Sequence, residues 1–509
     1  MNVPPHATVF ARRRRLVLGA TAATAIAPFA VWAAAAALLP RPAAAGTPQS
    51  PAPTAVTAVI DAGKTHQTIE GFGAATAYYQ NWITAHPNKK DLYDTFFKGL
   101  NLSILRLQNV YRPAKGADFA KDDADIVRGA RESLGRPIPI LMSSWSPPAD
   151  LKSTGAEKGG GTLAKKNGAF VYEDFAGYWA DSLAAYKKIG IEPTWVSIQN
   201  EPDWKADWET CLFQPREGKD DKGVEYAGYD QALGAVARRL RATPGAPKLL
   251  GPETLGIGGN KVQNYLGPKD GETARTVDAV AYHLYYGGDH QKPDTFIPTL
   301  RSVRDAYPDK PHWMTEFGRS DGFQTAWIIH NTLTEGNAAA YVYWAGIWPG
   351  TDTLINVDNP FEPQTTWKLP NGFAPTDRYY GLKHFSYFVG PGYRRVDAAA
   401  PTPAVKVSAF LSPDRSRLVA VALNTSESAP ATLTLSVRGF RPASAAAYRS
   451  VLPPPAVTPT EGERVGVNGP GERFQKLDGV KPEAALTLPP RSVVTITLDA
   501  AGAAARSGE

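Results

Sequence analysis

The chain has 509 residues, of which 43% are apolar and 20% are charged, a composition typical of a globular protein and not of a disordered one. That length exceeds one ordinary domain and suits a large barrel with an accessory domain. The net charge is +6, but residues 1–45 hold five arginines and no acid, so the basic character gives no argument for nucleic-acid binding. The single cysteine, Cys211, excludes an internal disulfide framework and a zinc site made of several thiolates.

Residues 1–45 have the layout of a bacterial export signal. Four consecutive arginines (12–15) precede an alanine-rich apolar stretch, and small residues follow at 43–45. The arginines resemble those of a twin-arginine signal, which exports folded proteins. We therefore expect a cleaved leader, a flexible linker at 46–54, a secreted or periplasmic protein, and no stable membrane association after cleavage. The alternative is an uncleaved anchor over residues 16–39, which Pro28 and the weak apolarity of alanine disfavour.

Residues 67–387 alternate short apolar runs with helix-like stretches, the pattern of parallel α/β architecture. Between the runs, residues 175–189 place Phe175, Trp179, Leu183 and Tyr186 on one helical face. Eight such units predict an α/β fold, a (β/α)8 TIM barrel, over residues 67–387. The eight predicted strands are 69–73, 104–107, 138–143, 194–199, 248–251, 277–283, 312–315 and 340–343.

The pattern changes after residue 388. Residues 406–411, 417–423, 431–437 and 493–498 alternate with period two and are separated by Pro, Ser and Gly turns. This predicts a side β-sandwich domain at 388–499. Residues 55–60 are also strand-like, so we expect residues 55–66 to pair with that domain, and we expect a disordered tail at 500–509.

Polar residues stand at the ends of the predicted barrel strands. Arg106 lies in the second strand, Glu201 follows the fourth, and Glu316 follows the seventh. Because the carboxyl ends of barrel strands form one rim, these side chains are expected to meet there.

Two carboxylates at a barrel mouth fit glycoside hydrolysis. One of them must be held protonated to donate to the leaving oxygen, and the other must stay ionised at the sugar carbon. A fixed cation such as Arg106 would keep Glu316 ionised.

Aromatic side chains also concentrate near these strand ends, where their faces could stack on sugar rings. We expect Trp179, Trp195 and Trp313 to be core, since each sits inside a predicted helix or strand. The expected substrate-binding residues near strand ends are Trp82, Trp145, Trp204, His283, Tyr285 and Trp344.

The sequence indicates the roles of two further residues near the rim less specifically. Glu253 follows the fifth strand and either orients the site or caps a helix, and the sequence leaves both open. His283 is expected to donate or accept a hydrogen bond and not to bind a metal, because no cluster of His and acids at ligand spacing is visible. We expect no metal and no cofactor.

Several motifs in order resemble glycoside hydrolase family 30, a clan A family of retaining β-glycosidases. The resemblance covers residues 55–500 and rests on IEGFG (69–73), LSILRL (102–107), SWSPP (144–148), SIQNEPD (197–203), WMTEF (313–317) and LKHFSYFVGPGY (382–393). It implies a (β/α)8 barrel with a β-sandwich built from both chain ends.

The resemblance also implies roles for individual residues. It makes Glu201 the general acid/base, Glu316 the nucleophile and Asn200 the residue that binds the sugar 2-hydroxyl. Arg106 and Trp145 then line the subsite of the reacting sugar, and Tyr285 lies near the nucleophile. The two carboxyl groups are expected about 5–5.5 Å apart.

Around the first two strands the sequence looks most like the bacterial xylanase branch of that family. Glucuronate-specific members carry an arginine in the loop after strand eight, but here no Arg or Lys occurs from residue 345 until Lys368. We therefore expect a monomeric enzyme that cleaves β-1,4-xylan without needing glucuronate, with a polysaccharide or oligosaccharide as its only partner.

Three alternatives remain open. One is a hydrolase of another β-glycan, such as β-1,6-glucan or galactan. Another is an exo-acting β-xylosidase, for which the long loops at 151–172 and 202–225 could close the cleft. The third, a non-catalytic polysaccharide-binding protein, is disfavoured because both carboxylates are present.

Overall fold

The computed structural model describes residues 52–116, 118–362, 368–454 and 471–502. The predicted leader at 1–45, most of the predicted linker and residues 503–509 of the predicted tail lie outside these ranges. Within the ranges, no helix has both the length and the apolar character needed to cross a bilayer.

Eight parallel strands close into a barrel, which confirms the predicted fold class. The strands follow chain order around the barrel, and the last pairs with the first. Nearly every residue in them is buried, as expected for strands covered on both faces. After β1 (Thr54–Thr68), the barrel strands are β2 (Gly71–Ala75), β3 (Ile104–Gln108), β4 (Ile140–Ser143), β7 (Trp195–Ser197), β10 (Lys248–Thr254), β11 (Ala279–His283), β12 (His312–Glu316) and β13 (Ala338–Tyr343).

The helices cover the outside of the barrel. In the helix Tyr172–Lys188, Phe175, Trp179 and Tyr186 are buried, as the helical spacing of its apolar residues predicts. The α-helices are α1 (Gln80–Thr84), α2 (Lys89–Tyr93), α3 (Lys121–Leu134), α4 (Tyr172–Lys188), α5 (Tyr229–Arg241), α6 (Lys261–Leu266), α7 (Glu272–Thr276), α8 (Ile297–Ala306), α9 (Gly322–Thr334) and α10 (Asp377–Ser386).

A layer of apolar side chains fills the barrel interior. Trp195 and Trp313 pack there with ring centroids 4.7 Å apart, beside Ile104. Side chains alternate along a strand, so Arg106 points to the same side as Ile104, one layer closer to the rim. The apolar layer thus forms the floor beneath the polar residues of the mouth.

Short strands interrupt the loops at the carboxyl end of the barrel. Two hairpins belong to the long loops after β4 and β7, and a three-stranded sheet follows β13. These strands are β5 (Lys165–Lys166), β6 (Ala169–Phe170), β8 (Gly218–Lys219), β9 (Glu225–Tyr226), β14 (Ile347–Trp348), β15 (Ile355–Val357) and β16 (Phe373–Pro375).

A nine-stranded, mostly antiparallel sheet forms the second domain. The first strand, β1, joins this sheet between β17 and β20, as the pattern at 55–60 indicated. The other strands are β17 (Arg394–Ala399), β18 (Val405–Leu411), β19 (Arg417–Asn424), β20 (Ala431–Arg438), β21 (Pro442–Val451), β22 (Glu472–Leu477), β23 (Leu486–Leu488) and β24 (Ser492–Ala500).

The β-rich domain packs directly on the barrel. Alternate residues of β19 face in opposite directions: Val419 and Val421 join the barrel core, whereas Leu418 and Ala420 join the core of the sheet. This explains why the whole strand is buried. His384 of α10 contacts Ser450 and Thr495 at 2.8 Å, so hydrogen bonds also join the two domains.

Candidate active site

Two glutamates face each other at the mouth of the barrel. Glu316 ends β12, and Glu201 lies in the loop after β7. One carboxylate oxygen of each and one ring nitrogen of His283 lie within 4.8 Å of one another. This spacing suits the carboxyl separation of about 5–5.5 Å found in retaining glycosidases better than the roughly 6.5–9.5 Å of inverting ones.

Arg106 connects the polar residues of the mouth. Its fully buried guanidinium donates to Glu316 Oε2 at 2.5 Å and to Asn200 Oδ1 at 2.7 Å. It also lies 3.2 Å from Glu253 Oε1 and 4.7 Å from the centroid of Trp145. The rigid, permanently charged guanidinium of Arg106 is thereby fixed between the side chains of Glu316, Asn200 and Glu253.

Both oxygens of Glu316 have donors. Arg106 holds Oε2, and the hydroxyl of Tyr285 donates to Oε1 at 3.0 Å. These charge-assisted bonds stabilise a carboxylate and fix its orientation at the centre of the mouth. An ionised, oriented carboxylate is what attack on an anomeric carbon requires.

Glu201 has the opposite environment. Burial, together with the negative charge of Glu316, raises the pKa of Glu201 to about 7, although the hydrogen bond from His283 lowers it. His283 Nδ1 lies 2.9 Å from Glu201 Oε1. A carboxyl with such a pKa can both donate and accept a proton near neutral pH.

His283 and Glu253 are two further charged side chains at the site. Burial lowers the pKa of His283, but the charges of Glu316, Glu201 and Glu253 outweigh it and raise the pKa to about 9. Burial raises the pKa of Glu253, but Arg106 and His283 outweigh it and hold that pKa well below its usual range. Near neutral pH, a protonated imidazole and a charged carboxylate therefore face each other, 3.8 Å apart.

Glu253 orients the site and does not cap a helix. Its side chain is fully buried in β10 against Arg106, and its backbone carbonyl accepts from the amide of Glu201 at 3.0 Å. Both glutamates adopt the left-handed backbone region, with φ of 54° for Glu253 and 46° for Glu201. Of the two alternatives that the sequence left open, the structure supports the orienting role.

The predicted aromatic residues fall into distinct places. Trp145 and Trp344 lie side by side near Arg106, with ring centroids 5.8 Å apart. Trp204 lies at the rim, 36% exposed, with its ring 6.4 Å from that of Tyr286. Trp82 lies in α1 and contacts Tyr79 at 4.9 Å, outside the network around Arg106.

Tyr78 is one of the aromatic residues that the sequence places near the strand ends, and it packs among the aromatic rings of the site. Its ring is edge-on to those of Trp145, Trp344 and Trp348 at 6.0–6.1 Å and fills the space between them. The tyrosine reaches this position with a φ of 72°, which nothing in the local sequence announces.

The structure brings together Glu201, His283 and Glu316, a grouping that sequence spacing did not reveal and that could geometrically hold a metal. The donor set argues against one, because both oxygens of Glu316 and the Nδ1 of His283 already have partners. A divalent cation at Glu316 would also be repelled by the guanidinium of Arg106, 2.5 Å away.

Comparisons with known proteins agree with this geometry. Residues 123–219 match the glycosyl hydrolase family 30 TIM-barrel domain, and residues 392–496 match the family 30 beta sandwich domain. Glucuronoxylanase XynC of Bacillus subtilis is 25% identical over 390 residues, 73% of this chain and 78% of that one. Lysosomal acid glucosylceramidase of Mus musculus is 24% identical over 432 residues, 74% and 79% of the two chains.

A solved structure extends the similarity to the whole fold. The family 30 subfamily 8 xylanase Xyn30A from Clostridium acetobutylicum superposes with a TM-score of 0.64 at 24% identity, covering 87% of this chain and 100% of that one. The family models match one segment in each of the two domains, in the expected order. Both domains of this chain therefore resemble those of glycosyl hydrolase family 30, and this likeness supports a glycosidase.

Proposed function

We propose that this glycosidase is a retaining enzyme that cleaves β-1,4-xylosidic bonds and does not need a glucuronate side group. The observation that carries the mechanism is the contrast between two adjacent carboxyls. Glu201 is buried with a pKa raised to about 7, whereas Glu316 is bound by a guanidinium and a phenol. One group is suited to proton transfer and the other to nucleophilic attack.

In the proposed reaction, Glu316 attacks the anomeric carbon while Glu201 gives its proton to the leaving oxygen. The glycosidic C–O bond breaks and a covalent glycosyl ester forms on Glu316. Glu201, now ionised, takes a proton from water, which attacks the same carbon and releases Glu316 with net retention. Asn200, held by Arg106 at 2.7 Å, is placed to bind the 2-hydroxyl of the reacting sugar.

The loop after β13 supports independence from glucuronate. Between residues 345 and 362 it has no cationic residue, and its exposed acid Asp352 lies 3.1 Å from Arg378. A carboxylate substituent there would lack an arginine of its own and would face Asp352. Arg319 lies 5.0 Å over the ring of Tyr285, whose hydroxyl donates to Glu316. It would be the first candidate if glucuronate proves necessary.

Exo action on β-xylosides is the second candidate. The long loops after β4 and β7 bind each other through backbone hydrogen bonds, including those from Gly159 to Trp208 and from Leu212 to Gly161. The rings of Tyr78, Trp145 and Trp344 pack against one another, so no sugar fits between them. Both features favour a cleft that is restricted on one side.

The first experiment tests the mechanism. A 2-deoxy-2-fluoro β-xyloside with an activated leaving group should trap the enzyme, and peptide mass analysis should place the adduct on Glu316. NMR of the first product should show the β-anomer. Glu316→Gln, which preserves shape, should abolish trapping, and an adduct elsewhere would overturn the assignment. An enzyme that inverts configuration would overturn the mechanism.

The second experiment tests specificity. Products from linear xylan, arabinoxylan, glucuronoxylan, β-glucan and β-1,6-galactan are separated by chromatography. A ladder from linear xylan supports endo-xylanase action, and xylose alone supports the exo candidate. Turnover of glucuronoxylan only, or of a different β-glycan only, overturns the proposed specificity but leaves the two glutamates in their roles.

The export of the chain through residues 1–45 is a separate proposal, tested by replacing arginines 12–15 with lysine and assaying secretion.

A further inference from the structure

Two exposed aromatic rings lie together at the carboxyl end of the barrel. Tyr286 is 53% exposed and Trp204 is 36% exposed, and their ring centroids lie 6.4 Å apart at an angle of 48°. We call these two side chains the rim platform. Single exposed apolar side chains are common on soluble proteins, but neighbouring aromatic rings form a patch of the kind that binds a ligand.

Trp204 is fixed to the backbone of Glu201. Its amide donates to the carbonyl of Glu201 at 3.0 Å, which closes a four-residue turn from Glu201 to Trp204. Such a turn keeps its first and last Cα atoms within about 7 Å of each other. The hydroxyl of Thr210 donates to the carbonyl of Trp204 at 2.8 Å and fixes the residue from the other side. One residue of the rim platform therefore stands beside the proposed acid/base.

The backbone of Tyr286 is held by close packing against the loop after β10. The amide of Ile257 donates to the carbonyl of Tyr286 at 2.8 Å. At Gly256 an added Cβ would lie only 2.4 Å from that carbonyl oxygen, so glycine is needed there. The preceding residue, Tyr285, donates its hydroxyl to Glu316 at 3.0 Å. The second residue of the rim platform is thereby fixed close to the nucleophile, while its own side chain stays exposed.

The rim platform lies across the mouth from the other aromatic rings. Trp204 follows β7 and Tyr286 follows β11, and these strands are the two neighbours of β10 in the barrel. Trp145 follows β4 and Trp344 follows β13, and these strands flank β2 and β3 on the opposite half of the barrel. The mouth thus has aromatic side chains on two sides, and Glu201, which follows β7, belongs to the side of the rim platform.

We propose that the rim platform binds the sugar chain on the leaving-group side of the scissile bond. This inference rests on the proposed glycosidase function, in which Glu201 protonates the leaving oxygen. That oxygen belongs to the leaving chain, so this chain passes Glu201 and meets the exposed rings next to it. The faces of Trp204 and Tyr286 are apolar and suit the apolar face of a neutral pyranose.

The same surface would hold an acceptor sugar in the second half of the reaction. A hydroxyl oxygen of the acceptor attacks the anomeric carbon in place of water, Glu201 takes the hydroxyl proton, and the ester bond to Glu316 breaks. A new glycosidic bond forms and Glu316 returns as a carboxylate. Transfer to an acceptor therefore reports on the leaving-group side alone, because the donor sugar is already attached to the enzyme.

The test uses enzyme trapped on Glu316 with a 2-deoxy-2-fluoro β-xyloside and measures how fast added xylobiose restores activity. In wild type the rate should rise with xylobiose concentration and reach saturation. Tyr286→Ala and Trp204→Ala should each raise the half-saturating concentration about 3- to 10-fold, the range expected for the loss of one aromatic contact. Recovery in buffer alone and KM for β-xylosyl fluoride should stay within about twofold of wild type, because water and fluoride do not contact the rings.

Two further variants are matched controls. Tyr286→Phe keeps the ring and should behave as wild type, whereas Phe361→Ala removes a ring that is 63% exposed and lies outside the rim platform. A loss in Tyr286→Phe as large as in Tyr286→Ala, or an equal loss in Phe361→Ala, would contradict stacking on the rim platform.

The remaining outcomes separate this inference from the proposed function. Unchanged half-saturation in both alanine variants, or a trapped wild type that xylobiose does not reactivate, overturns the inference alone. An equal rise of KM for β-xylosyl fluoride also overturns it, because the rings would then contact the donor sugar. A wild type that is not trapped and turns over no β-glycoside overturns the proposed function as well.

Discussion

The raised pKa of Glu201 depends partly on the charge of Glu316. Removing that charge should therefore lower the pKa of Glu201. The closest oxygens of the two lie within 4.8 Å. For a separation of about 5 Å, Coulomb's law with an effective dielectric of about 20 to 40 gives roughly 1.7 to 3.3 kcal/mol. That energy corresponds to about one to two pKa units.

Glu316→Gln should therefore bring the pKa of Glu201 from about 7 to roughly 5–6, the remainder of the increase coming from burial. Titration of the folded variant, followed by the carboxyl signal of ¹³C-labelled glutamate, measures this directly. For a substrate with a poor leaving group, wild-type kcat/KM should decline as the pH rises, with an apparent pKa near that of Glu201. The protonated form of Glu201, which donates to the leaving oxygen, is lost over that pH range.

Glu192→Gln is the matched control, since Glu192 is 68% exposed and pairs with Lys187. It removes one negative charge far from Glu201 and should leave its pKa unchanged. A Glu201 pKa that stays the same in Glu316→Gln would refute the coupling. The increase would then come from burial alone, and formation of the covalent ester would not convert the acid into a base.

Three more predictions follow from the same contacts. Arg106→Lys should lower kcat at least about 100-fold, because an ammonium cannot contact Glu316, Asn200 and Glu253 together. Trp204→Ala should raise KM for long oligosaccharides several-fold and leave aryl glycosides unaffected, because Trp204 lies on the exposed rim. The pKa of His283 is raised to about 9 from an unfolded value near 6.5, so its protonation stabilises the fold fully below pH 6.5 and this stabilisation is lost as the pH rises through 9.

Each of these predictions has its own check. For Arg106→Lys, circular dichroism separates lost catalysis from lost folding. For Trp204→Ala, Phe361→Ala removes another exposed aromatic ring, 63% accessible, and should leave KM unchanged. For His283, urea unfolding at pH 7 and pH 9 should show a larger drop in the free energy of unfolding for wild type than for His283→Gln. Parallel curves would contradict the assigned protonation.

Short apolar runs made the barrel predictable. All eight predicted runs overlap barrel strands, since parallel strands buried on both faces require continuous apolar sequence. The first strand starts two residues later than predicted, at Gly71. In the second domain β17, β21, β22 and β23 were missed, because their burial is partial and their sequence lacks a clear alternation.

The meeting of Glu201 and Glu316 at the barrel mouth was predictable because the carboxyl ends of all barrel strands form one rim. The contact of Arg106 with Glu316 follows from the same rule, since both lie in barrel strands and point inward. Glu253 was ambiguous because the carboxylate of an orienting residue and that of a helix cap look identical in sequence. Only its burial against Arg106 distinguishes the two roles.

The packing of Tyr78 among Trp145, Trp344 and Trp348 could not be predicted, because it depends on a left-handed backbone and on how the loops fold back. The different surroundings of the two carboxyls could not be predicted either. Glu316 is held by two donors, whereas burial and a neighbouring charge raise the pKa of Glu201 to about 7. Since both are glutamates, their different chemistry comes from their surroundings and not from residue type.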